Sequence, residues 1–232
     1  MITILKNLFD AQRPARMNAR QANALLGHFA LALVAFTIAA FAIKVIVHPE
    51  RAARYTPLVV LHAVAMIAWM SLLGTQAYLA ARGIMGLHKR LGTVSVALVA
   101  AIVVSGMIIS INLGQEIGRT EVTVVNIASF VTFVPLYFAA LHFARSHNMH
   151  AHRMAMLIGT LAFMTPVYAR VTDVLALPPE VAIGLQPPLT VVLALGYEWA
   201  VLGRFTQLSA AMLAFSIAVI GAMIAVLLTL FV

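Results

Sequence analysis

"GLHKRLG", residues 86–92, lies between two apolar runs that are each long enough to cross a bilayer. Sixty-four residues after its histidine, "AHRMAM" at 151–156 again sets a histidine and a basic residue at the start of a long apolar run. Such a pair is either interfacial charge at a membrane edge or one half of a ligand set. Working outward from these two starts divides the chain into seven apolar segments: Ala24–Val47, Thr56–Ala81, His88–Leu113, Val122–Phe143, His152–Val171, Val181–Leu202 and Leu208–Val232. Each reaches about 20 residues, the length that spans ~30 Å of hydrocarbon at ~1.5 Å per residue. None alternates with period two, so the spanning element is the helix.

Composition agrees. Hydrophobic residues are 63% of the chain, charged residues 9% and mean hydropathy is +1.01. A chain this apolar cannot cover itself with polar groups, and its solvent is lipid. The expected fold is an all-α polytopic membrane helix bundle of seven transmembrane helices. A basic amino-terminal arm or interfacial helix over 1–23 precedes a transmembrane domain over 24–232, with Ile4, Leu5, Leu8 and Phe9 on the arm's lipid side. The connections carry the breakers, as in "HPERAARY" at 48–55, "GQEIGRTE" at 114–121 and "LPPE" at 177–180. Pro187-Pro188 predicts a turn or kink in the sixth segment.

Lys and Arg divide ten against five between the side of the amino terminus and the opposite side. That bias predicts N-in/C-out for a multi-pass membrane protein. It also accounts for the net charge of +8 without nucleic acid as a partner. With no cysteine there is no thiolate ligand, disulfide or cysteine nucleophile. Neither a phosphate-binding Gly-(x4)-Gly-Lys-Ser/Thr loop nor a Gly-x-Ser-x-Gly elbow occurs, and none of the three lysines lies in the last segment, where a retinal Schiff base would need one.

A shift of 64 sets His62 against Asn126, Tyr78 against His142 and His88 against His152. Helices two–three and four–five therefore read as a duplicated hairpin in one orientation. Two copies that each open their second helix with histidine bring two imidazoles toward one bundle axis, and an imidazole pair is one way to hold haem iron. His88 and His152 are the leading candidates to bind haem b or a metal ion, with His142, His28, Arg90 and Arg153 as further cofactor contacts. The competing reading is that the positive-inside bias alone put them there. Glu198, the carboxylate within the sixth segment, needs a partner or a held proton, and a nearby Arg is the simplest partner. His62, Trp69 and Gln76 recur at sevens on one helix face, which is as easily a packing seam as a site.

The patterns "HAVAMIAWMSLLGTQAYLAARGIMGLHKRLG" and "HRMAMLIGTLAFMTPVYAR" resemble a family of uncharacterised bacterial integral membrane proteins. The resemblance covers 56–171 and implies His62, Trp69, Gln76, His88, Arg90, Gly92, His152, Arg153, Met156, Pro166 and Arg170 as characteristic positions. The chain departs from it at Met154, where a second basic residue is usual. A more distant likeness is to cytochrome b561-type proteins, in which histidine pairs hold two haems. His88 and His152 match one pair, whereas the other would be His62 and Asn126, and Asn is no haem ligand.

Three functions compete: a haem- or metal-binding electron-transfer protein with a quinone as redox partner, an accessory or assembly subunit that binds lipid, a membrane protein or a second copy, and a small-solute or proton transporter.

Overall fold

The computed structural model describes residues 14–116, 118 and 120–231, the side chains of residues 52 and 53 excepted. The apolar face expected over Ile4–Phe9, together with Lys6, Arg13 and Arg119, lies outside the described residues. Seven spans are present, each long and apolar enough to cross a membrane. The helices are α1 (Ala19–Val47), α2 (Pro57–Ala81), α3 (Met85–Glu116), α4 (Glu121–Arg145), α5 (Met149–Leu161), α6 (Thr165–Val174), α7 (Pro179–Leu202) and α8 (Gln207–Leu230), with a 3₁₀ turn at Pro49–Arg54 between α1 and α2. The all-α polytopic bundle expected from the apolar runs is what the chain forms.

Helix α1 starts inside the stretch read as an arm, because Asn18 and Gln21 cap it reciprocally, each side chain bonded to the other's backbone N–H at 3.0 Å. Ahead of that cap the chain docks on α7. The Met17 N–H donates to the Val201 carbonyl, and the Arg16 guanidinium sits 4.5 Å from the Trp199 ring centre. The interruption expected at Pro187-Pro188 does not occur, since both prolines lie within a continuous α7. Proline is tolerated in a membrane helix when neighbouring groups satisfy the freed backbone.

Instead, the fifth span breaks. Read as one helix from the sequence, it divides at Ala162–Met164 into α5 and α6. Pro166 has no N–H to donate to the preceding turn and is tolerated in the first turn of a helix, so a new helix starts at Thr165. This span is the centre of the bundle. It is 72% buried, where no other span exceeds 33%, and its two halves pack on α1, α4, α7 and α8. The backbone groups freed at the break are met by side chains. Gln186 Nε2 donates to the Leu161 carbonyl at 2.6 Å while its Oε1 accepts from Thr165, and Trp69 Nε1 donates to Thr160 Oγ1.

The duplicated hairpin is visible in the element ends. α2 runs Pro57–Ala81 and α4 runs Glu121–Arg145; α3 starts at Met85 and α5 at Met149, a constant offset of 64. Trp69 and Phe133, equivalent under that shift, meet edge-to-face at 5.0 Å between the two copies. Close approach of helices depends on small residues. A Cβ on Gly106 would come within 2.5 Å of Phe130 and 2.8 Å of His62. At the face opposite the start of α1, Lys44 and Arg51 both pair with Asp173, tying α1 and the 3₁₀ turn to the end of α6.

Because it is buried and bonds to Leu161, Thr165 and Thr190, Gln186 is expected to matter more than its size suggests. Gln186→Leu should lower stability by about 1–3 kcal/mol, because the buried Thr165 hydroxyl loses its acceptor and the Leu161 carbonyl keeps only the Met164 N–H of its two donors. Thr190→Val, which removes only the hydroxyl that Gln186 also reaches, should cost less than about 1 kcal/mol. Unfolding in mixed micelles of rising SDS fraction reads both.

Candidate functional site

The face at which α1 begins holds the ends of α2, α4 and α7 and the starts of α3, α5 and α8. Between α1, α2, α3, α4 and α5 on this side lies a cavity of about 610 Å³. That is within the ~300–1,000 Å³ usual for small-molecule and cofactor sites. Exposed Met85, Lys89, Arg145 and Met149 form its rim; buried Trp69, Leu73 and Ser95 form its floor. Trp69 is held by Thr160, and Ser95 by the Tyr137 hydroxyl at 2.8 Å, so the floor is fixed by hydrogen bonds as well as packing.

His88 and His152 both line this cavity. Each stands three residues into its helix, and each directs Nδ1 to a backbone carbonyl of the preceding helix: His88 to Gln76 at 3.1 Å and His152 to Ala140 at 2.8 Å. The separation is 12 residues in both cases. A carbonyl oxygen can only accept, so Nδ1 carries the proton in both rings. Nε2 is then the lone-pair nitrogen of each neutral imidazole. A backbone carbonyl on the far nitrogen is the usual way in which a ligating histidine is oriented and its tautomer set.

Of the other expected contacts, Arg153, Trp69 and Gln76 line the cavity, while His142, His28 and Arg90 do not. Helical rotation explains the latter. Arg90 stands two residues from cavity-lining His88 and His142 two residues from cavity-lining Ala144, so each lies about 200° round its helix from that residue. Both are exposed, and His28, also exposed, packs edge-on to Tyr78 at 5.7 Å. The heptad on α2 divides by depth. His62 is about 20 Å along the axis from Gln76 and bonds Ser105 at 2.9 Å. Arg170 belongs to the opposite half as well, bonded to the Pro166 carbonyl and stacked 3.8 Å from the centre of the Phe41 ring.

Glu198 is wholly buried, and its partner is a histidine rather than the expected arginine. Its Oε1 accepts from His150 Nε2 at 2.9 Å, Ser209 Oγ at 2.6 Å and Thr206 Oγ1 at 2.8 Å, joining α5, α7 and α8. His150 is thereby turned to Glu198 and His152 to Ala140, which separates the two as a chelating pair. Lys89, Arg145, His150 and Gln186 were not among the site residues expected from sequence. For Lys89 the signal was present, since a basic residue follows the histidine in both helix starts.

Removing the acceptor takes a partner from four donors at once, the three side chains and the Thr206 N–H. Glu198→Leu is expected to destabilise the protein by about 3 kcal/mol or more, and Glu198→Gln, which keeps a carbonyl acceptor, by roughly half as much. Thermal unfolding in detergent distinguishes them. Against known proteins, no family model, curated protein or solved structure matches this chain.

Proposed function

We propose that this membrane protein binds one b-type haem between His88 and His152 and serves in electron transfer. The observation that carries the reading is the repeated pair itself. Two imidazoles, related by the 64-residue shift and fixed as the same tautomer by equivalent carbonyls, face one cofactor-sized cavity. The donor set suits haem better than a bare metal ion. Haem brings four of its own nitrogens and asks the protein for two ligands, whereas a closed metal-ion site asks for about four. Among the described residues no three His, Asp or Glu side chains gather as such an ion would need.

When bound, haem supplies one-electron chemistry at its iron. The chain's own residues do the rest. The Gln76 and Ala140 carbonyls hold the imidazoles in register and raise their basicity. Trp69, Leu73 and Ala77 provide an apolar wall that keeps water from the interior. His62, bonded to Ser105 in the other half and paired by the repeat with Asn126, leaves the reading at one haem. The partial likeness to cytochrome b561-type proteins points the same way. The excess of Lys and Arg on the amino-terminal side supports a cytoplasmic-face cavity, and the resemblance to bacterial integral membrane proteins supports the inner (cytoplasmic) membrane as its location.

Protein purified in detergent from cells supplied with haem should show a Soret band and, after dithionite, a sharp α-band. His88→Ala with His152→Ala should abolish both while leaving the far-UV helical signal intact. A featureless wild-type spectrum would overturn the reading and favour a non-catalytic accessory subunit.

A further inference from the structure

Lys89 follows His88, Arg153 follows His152, and the two are equivalent under the same shift of 64. With Arg145, at the end of α4, they give the cavity three cations, and no Asp or Glu is among the residues that line it. The cations at the rim have a simple explanation, since exposed Lys89 and Arg145 satisfy the positive-inside bias on their own. Arg153 does not fit that explanation. It is only 8% exposed. Nη1 donates to Asn23 Oδ1 at 3.2 Å, but Nε has no partner, and no carboxylate pairs with it among the described residues. A guanidinium removed from water is costly without a counter-charge, the described residues supply none, and an anionic ligand in the cavity that Arg153 lines would provide it.

Resting on the haem reading above, we infer that Arg153 and Lys89, with Arg145 at the rim, bind the two carboxylates of the ligand in this cavity. Each copy of the hairpin then contributes the same two things, an imidazole and the cation next to it. The ligand class is correspondingly narrow: a flat, largely apolar dicarboxylate with its acid groups toward the amino-terminal face. Arg suits the buried position, because its fork of N–H donors grips a carboxylate in two places, while Lys suits the wet rim as a mobile point charge.

The experiment titrates purified protein, freed of bound pigment, with haem b and separately with its dimethyl ester, following the Soret band. The ester keeps the iron and ring but has no free carboxylate. Wild type should bind haem at least ~10-fold more tightly than the ester, as expected for charge-assisted bonds. Lys89→Gln with Arg145→Gln, exposed positions that leave the fold alone, should narrow that gap by weakening haem only. Arg153→Gln should narrow it further, and Arg153→Lys should restore part of it. Equal affinity of wild type for haem and ester, with the histidines still required, would overturn the carboxylate assignment and leave the haem reading standing. Binding of neither would overturn both.

Discussion

Inside hydrocarbon every polar group has to find its partner within the protein, and most of this structure follows from that constraint. It forces the spans into helices. It explains why the one broken span lies at the bundle centre, where Gln186 and Trp69 can reach the break. It gathers His150, Thr206 and Ser209 around Glu198, so that Oε1 of a fully buried carboxylate on α7 is met by donors from α5 and from α8 and its cap. It also ties the Nδ1 atoms of His88 and His152 to backbone carbonyls. The rule is left open at several buried atoms, Glu198 Oε2 among them, and two of these, Arg153 Nε and Gln76 Oε1, belong to residues that line the cavity, where a ligand would close it.

Duplication gives the site its geometry. A hairpin repeated in the same orientation places equivalent residues about an axis along the membrane normal, so the single imidazole of each copy lines the same cavity. The copies have diverged where they need not agree. The second copy's outgoing helix is broken by the turn before Pro166, whereas α3 continues unbroken for 32 residues. His62 has no histidine counterpart, since Asn126 stands opposite it in the shift. What remains is one site at one face.

The spans were legible because hydropathy and length report the same physical requirement, burial of about 20 residues in lipid. The hairpin repeat was legible from two histidine-basic pairs, and so was the nomination of His88 and His152. Depth and rotation were harder to read. The heptad His62, Trp69 and Gln76 shares a face but extends over about 20 Å, so only its last two members reach the cavity. His142 and Arg90 were put forward for lying near the right face of the membrane, and a two-residue step on a helix turned them outward. The break after Leu161 carries a weak local signal, since Pro166 alone does not say whether a membrane helix bends or stops. The His150–Glu198 pair joins residues 48 apart, a contact no local pattern encodes.

The central claim is that the two repeat-related imidazoles act together on one centre. Electron paramagnetic resonance of the oxidised, haem-loaded protein tests it most directly. The account predicts a low-spin ferric signal of two imidazole ligands, converted to a high-spin signal by His152→Gly and returned to low spin by added imidazole. A high-spin wild-type signal, or a low-spin signal indifferent to His152, would contradict it.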